Sequence, residues 1–88
     1  MDVLSLKTFE TVARQGGITG AAQVLHTVQS NITQRIRALE SELGLALFKR
    51  HSRGMELTRA GQRLLPYADR IVALMVEAQA AAKGEEAS

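Results

Sequence analysis

The sequence predicts a mainly α-helical fold: three helices and a small β-hairpin, then one long helix. Three observations carry this. Apolar residues make up 45% of the 88 positions but aromatics only 3%, so the core must be built from Leu, Ile, Val and Ala, a balance that favours helices over a β-sandwich. Apolar positions recur at spacings of 3 and 4 along most of the chain. That period gives way at residues 47–58, LFKRHSRGMELT, where two short extended runs flank a turn. The length suits one small domain and is too short for two independent cores.

Leu6, Phe9, Val12 and Ala13 share one face of a first helix over about residues 4–15, and the glycine pair 16–17 ends it. Thr19 is the expected N-cap of a short second helix containing Ala21, Ala22, Val24 and Leu25. Thr27 is the expected N-cap of a third helix over residues 28–43, closed by Gly44. At about 100° per residue, Val28, Ile32, Ile36, Leu39 and Leu43 fall within an arc of roughly 80° and form its predicted buried stripe. The opposite arc carries Ser30, Thr33, Gln34, Arg37 and Ser41, with Asn31 and Arg35 on one shoulder and Gln29 on the other. Leu47–Arg50 and Met55–Thr58 are the predicted hairpin strands, with Gly54 at the tip and Lys49, Arg50, His51 and Arg53 on board. Thr58 can cap a last helix, in which Leu64, Ala68, Ile71, Met75, Ala78 and Ala82 alternate spacings of 4 and 3, with Leu65, Val72 and Val76 alongside. This stripe is too wide for one small domain to cover, which predicts packing on a second copy. Pro66 removes a backbone donor and predicts a kink near residues 62–66, and KGEEAS reads as a frayed end.

Charge and composition exclude several classes. The absence of cysteine removes disulfides and thiolate sites, and His26 and His51 stand apart without clustered carboxylates, so no metal or other cofactor is expected. No run approaches the roughly 20 apolar residues of a membrane span, and the N-terminal segment is an amphipathic pattern rather than a leader, so a cytoplasmic protein is expected. There is no nucleophile–base pair, carboxylate pair or phosphate-cradling glycine loop, so an enzyme is not expected. Net charge is +2, unevenly spread: residues 1–27 are balanced, residues 28–63 hold seven basic against three acidic side chains, and residues 64–88 hold two against four. A basic middle segment is the footprint of a polyanion site.

Two helices joined by the turn HTV, followed by a hairpin, stand in winged helix-turn-helix order. The second helix of such a motif lies in the DNA major groove and reads base edges from its N-terminal residues. Gln and Asn can bond adenine through two hydrogen bonds and Arg can do so with guanine. The amide- and hydroxyl-rich face of the third helix suits that task; the plainer alternative is an ordinary solvated face.

The segment GGITGAAQVLHTVQSNITQRIRALESELGLALFKRHSRGMELTRAG resembles the N-terminal part of LysR-type bacterial transcription regulators. The resemblance rests on TGAAQVLH, on Gln29 opening the next helix, on RIRALESELGLALFKR and on RGMELTRAG, and covers residues 1 to about 65. It implies a winged helix-turn-helix over residues 1–58, with the helix-turn-helix at about 18–37, and a linker or dimerisation helix with its tail over 59–88. By the same resemblance Gln29, Ser30, Asn31 and Gln34 approach bases, Thr33 meets phosphate and Arg53 on the wing at 47–58 enters the flanking minor groove. Arg37, Lys49 and Arg50 complete the expected DNA-binding set. Implied partners are double-stranded DNA with approximate dyad symmetry and a second subunit paired antiparallel through the linker helix, with higher assembly where an effector domain is present.

The chain departs from the family's common pattern: Val28 stands where many members have Ser, Ser30 and Asn31 where many have Pro or Ala, Gln34 for Arg, Arg35 for Gln, and Ala46 for Pro. Base preference is therefore its own. Members usually continue into an effector-sensing domain, so this chain is read as a DNA-binding piece of a longer regulator. His51 is either a phosphate contact or without function, and His26, Met55 and Met75 are read as structural. Arg59 and Arg63 face either phosphate or solvent. The rival reading is a dimerisation module without its own DNA specificity, which the last helix supports and the basic middle segment does not.

Overall fold

Local capping sets most of the element boundaries. In the computed structural model, which describes residues 1–85, helix α1 spans Val3–Gln15, α2 Ile18–Val24, α3 Gln29–Leu43 and α4 Arg59–Ala82. Strands β1, Phe48–His51, and β2, Gly54–Leu57, form an antiparallel hairpin with Phe48 opposite Leu57 and His51 opposite Gly54. Asp2 caps α1 by accepting the Ser5 N–H at 2.8 Å, and Gly16 ends it with φ 75°. Gly44 ends α3 with φ 74°, and Thr58 caps α4 by accepting the Gly61 N–H at 3.1 Å; Gly16, Gly44 and Thr58 stand where the sequence predicts.

Two expected caps differ. Helix α2 starts at Ile18, so Thr19 lies inside its first turn and Gly17 is the N-cap. Val28, not Thr27, precedes α3, and no side chain caps that helix. The Thr27 hydroxyl is occupied instead by Asn31, whose Nδ2 donates to it at 2.9 Å. Val28 is extended (φ −91°, ψ 156°) and so leaves the helical wheel, which is why it is 63% exposed rather than part of the core. At the far end of the same stripe Leu43 is also exposed, while Ile32, Ile36 and Leu39 are buried as expected.

The core joins Leu6, Phe9 and Val12 of α1, Ala21 and Ala22 of α2, those three residues of α3, Leu47 just before the hairpin, Phe48 of β1, and Ala68 of α4. Phe9 and Phe48 meet tilted, with centroids 5.4 Å apart. Thr8 and Thr11 are buried on α1 but return their hydroxyls to the carbonyls of Leu4 and Lys7 four residues back, which satisfies both. Leu64, Leu65 and Ala68 pack α4 on this core, so part of the predicted dimer stripe is consumed within the chain. Helix α4 runs without interruption through Pro66. At its end the Glu85 N–H reaches the Ala80 carbonyl and the Gly84 N–H reaches Ala81, with Gly84 at φ 76°, a Schellman closure where fraying is expected. The remainder of KGEEAS, residues 86–88, lies outside the described residues.

Candidate nucleic-acid interface

Helix α3 and the hairpin are locked into one surface by backbone ties. Glu40 on α3 accepts the N–H groups of Leu47 and Phe48 at 2.7 and 3.3 Å, fixing the approach to β1. The Met55 N–H donates to the Gly16 carbonyl at 3.2 Å, tying β2 to the α1–α2 turn. Thr58 donates its hydroxyl to the Ala46 carbonyl at 2.7 Å and its N–H to the Leu47 carbonyl at 3.0 Å, tying the root of the hairpin to the start of α4. Gly61 makes that approach possible: a Cβ there would lie 2.3 Å from the Leu47 carbonyl oxygen. Gly54 has φ 134°, and a Cβ would lie 2.6 Å from the Gly16 carbonyl oxygen, so the hairpin tip can sit against the α1–α2 turn only with glycine.

Between α3, the α1–α2 turn and the hairpin runs an open cleft of about 570 Å3, lined among others by Gln29, Thr33, Arg50 and Arg53. Arg37 joins Thr33 and Arg50 in an adjoining groove of about 180 Å3. Gln29, Arg37, Arg50 and Arg53 are exposed and Thr33 is half-buried. Ser30, Gln34 and Lys49 are exposed but line neither hollow. By helical angle Ser30 and Gln34 stand near the outermost line of α3, about 100° and 140° round from Gln29. Asn31 stands apart, on the flank facing α1, in a different groove with Lys7 and Arg35. His51 accepts the Arg53 N–H on Nδ1 at 3.2 Å and has Nε2 3.8 Å from Glu56, so it fastens the turn that carries Arg53.

This arrangement gives a helix N-terminus rich in amides and hydroxyls, flanked by guanidinium groups on a rigid hairpin, and no group of three His, Cys, Asp or Glu side chains placed to hold a metal among the described residues. The sequence profile described as "Bacterial regulatory helix-turn-helix protein, lysR family" matches residues 4–62. The chain belongs to the lysR family. Among relatives, the HTH-type transcriptional regulator YofA of Bacillus subtilis (strain 168) is 51% identical over 79 residues, which is 90% of this chain and 28% of that protein. The uncharacterized HTH-type transcriptional regulator YusT of the same organism is 52% identical over 81 residues, 92% of this chain and 28% of that protein. The chain thus spans less than a third of the length of these curated relatives. Among solved structures, the CbnR DNA-binding domain in complex with DNA superimposes with TM-score 0.87 at 39% identity, covering 96% of this chain and 97% of that one. The BenM DNA-binding domain bound to benA site 1 DNA gives TM-score 0.87 at 29% identity, covering 94% and 93%.

Within this lysR-family fold, Glu40 and Gly61 are the positioning residues that pattern reading misses. Glu40 lies in a helix whose charges look like an ordinary solvated set, and its partners are seven and eight residues away. Gly61 looks like a weak point near the start of a helix. Thr58 three residues before Gly61 carries the local signal, a cap whose hydroxyl oxygen accepts the N–H of a residue without a side chain. No helix among the described residues is long and apolar enough to cross a membrane.

Proposed function

We propose that this chain is the sequence-specific double-stranded DNA-binding domain of a bacterial transcription regulator. The observation that carries it is the convergence of Gln29 and Thr33 of α3 with Arg50 and Arg53 of the hairpin on one open cleft. Helix α3 enters the major groove, where Gln29, Ser30 and Gln34 approach base edges, while Asn31, on the flank facing α1, meets the DNA backbone. Thr33, Arg37, Lys49 and Arg50 meet phosphates, and Arg53 at the hairpin tip enters the flanking minor groove. The uncapped N-terminus of α3 supports this, since its free dipole end suits the negative potential of DNA. Residues 1–58 bind DNA, and 59–88 pair the subunits through α4. The likeness to domains solved on DNA supports the same reading. The domain performs no catalysis and works in the cytoplasm, where bacterial DNA lies.

Selection from a random duplex library, followed by titration of selected and scrambled duplexes at one salt concentration, tests the proposal. Enrichment of an approximately dyad-symmetric site, bound more tightly than the scramble, is the expected result. No binding to any duplex at low salt leaves the rival, a pairing module, which the exposed Leu74 and Val76 of α4 favour.

A further inference from the structure

The flank of α3 turned away from the hairpin carries a second polar groove. It has a volume of about 230 Å3 and is lined by Lys7 of α1, Thr27 and, on α3, Asn31 and Arg35. The Asn31 amide is held by its hydrogen bond to Thr27, leaving its oxygen and second N–H for an outside partner. Lys7 is exposed and Arg35 half-buried, and neither has a carboxylate within ion-pair distance among the described residues. Two acidic groups lie in reach of their fields. Asp2 is held below its usual range by the Ser5 hydrogen bond and, to a lesser degree, by the amino terminus and Arg35. Glu10 is influenced by Asp69 and Arg14 more than by Lys7. The two cations therefore stand on one groove without a carboxylate partner among the described residues.

Groove dimensions give them one. A helix with its side chains is about 10–12 Å across, and the major groove of B-DNA is about 12 Å wide. A helix seated there meets a sugar–phosphate wall on both flanks. Thr33 and Arg50 face the wall on the hairpin side. Asn31 and Arg35 lie about 200° and 240° round the helix from Gln29, toward the other wall, and Lys7 extends that edge from α1.

We propose that Lys7, Asn31 and Arg35 form a second phosphate clamp, gripping the DNA strand on the side of α3 opposite the hairpin. The clamp rests on the reading of α3 as a major-groove helix. Two clamps on opposite flanks would fix the rotation of α3 about its own axis, and so decide which of Gln29, Ser30 and Gln34 meets which base.

The test is the salt dependence of binding to a short mixed-sequence duplex, with potassium chloride as titrant. Neutralising one cation that grips a phosphate lowers the slope of log K against log salt by about 0.9. Lys7→Gln with Arg35→Gln should therefore lower it by about 1.8, while the charge-conserving Lys7→Arg with Arg35→Lys keeps it near wild type. Thermal melting of each variant separates a weakened grip on DNA from a weakened fold. Neutral methylphosphonates placed singly along the duplex should weaken the wild type at a phosphate where the double glutamine variant is indifferent. If Arg50→Gln lowers the slope but the double glutamine variant does not, the clamp is wrong and the major-groove reading stands. If the wild type binds no duplex, both fall.

Discussion

Gln29 is where base discrimination should concentrate. It is the first residue of α3, is exposed and lines the cleft shared with the hairpin. Its amide donates and accepts at once, matching the N6 and N7 edge of adenine, and losing one such pair costs about 1–3 kcal/mol of discrimination. Gln29→Ala should weaken the selected site about tenfold or more and leave scrambled duplex near wild type, because non-specific binding is set by phosphate contacts. Equal losses on both duplexes, measured by fluorescence anisotropy, would assign Gln29 a general role instead. Gly61 gives the opposite kind of residue-scale prediction. Alanine in a helix is ordinarily favoured over glycine by about 1 kcal/mol, but here its Cβ would lie 2.3 Å from a backbone oxygen that cannot swing aside. Overpacking costs about 1–3 kcal/mol, so Gly61→Ala should destabilise the fold by up to about 2 kcal/mol in chemical denaturation. A stabilised variant would mean that the α4 start and hairpin root separate freely.

At the scale of elements, what could be read from the sequence was what is local. Gly16, Gly44 and Thr58 act within their own turns, and all three close or open helices where the pattern places them. Thr27 fails because its hydroxyl has two candidate partners, the backbone of α3 and the Asn31 amide, and composition does not rank them. The ties that aim the hairpin run through Glu40, Gly16 and Leu47, partners that only the fold brings together. The same holds for the joint between α1 and α4. Arg14 donates to Asp69 at 2.8 Å, and Glu10 shares that carboxylate. Burial, and then the hydrogen bond to Asp69 and its charge, push the Glu10 carboxyl up to about 7, while Asp69 is held low by Glu10 and Arg14. Glu10 thus keeps its proton in the fold when the unfolded chain, with the ordinary value of 4.5, has lost it. A raised carboxyl contributes stability that is lost as pH rises, so the fold should weaken between about pH 4.5 and 7. Glu10→Gln keeps a neutral donor toward Asp69 and should flatten that part of the stability–pH curve. Melting curves across the range in both proteins check it; identical slopes would show that Glu10 titrates as an ordinary surface carboxyl.

At the scale of the molecule, the question is what covers α4. The predicted stripe divides in the structure: Leu64 and Ala68 turn to the chain's own core, and Met75 is half-buried. The open apolar line is shifted round the helix, through Tyr67 at 59% exposure, Ile71 at 37% and Leu74 at 63%, with Ala78 continuing it. It leads at its upper end into an apolar hollow lined by Leu43, Leu45 and Leu64. Exposed apolar lines of this kind mark association surfaces, and a helix repeating at 4 and 3 suits pairing with its own copy. Pairing also serves DNA binding, because two copies related by a two-fold axis meet two half-sites and double the phosphate contacts. Ile71→Glu with Leu74→Glu places charges on that line without touching the core residues or the cleft. The wild type should sediment as a dimer at micromolar concentration and the variant as a folded monomer, its circular dichroism showing the helices retained. Binding of the variant to a single half-site should survive, while binding to the full dyad site should fall to the half-site level. A wild type that sediments as a monomer throughout that range would leave α4 without a partner of its own kind.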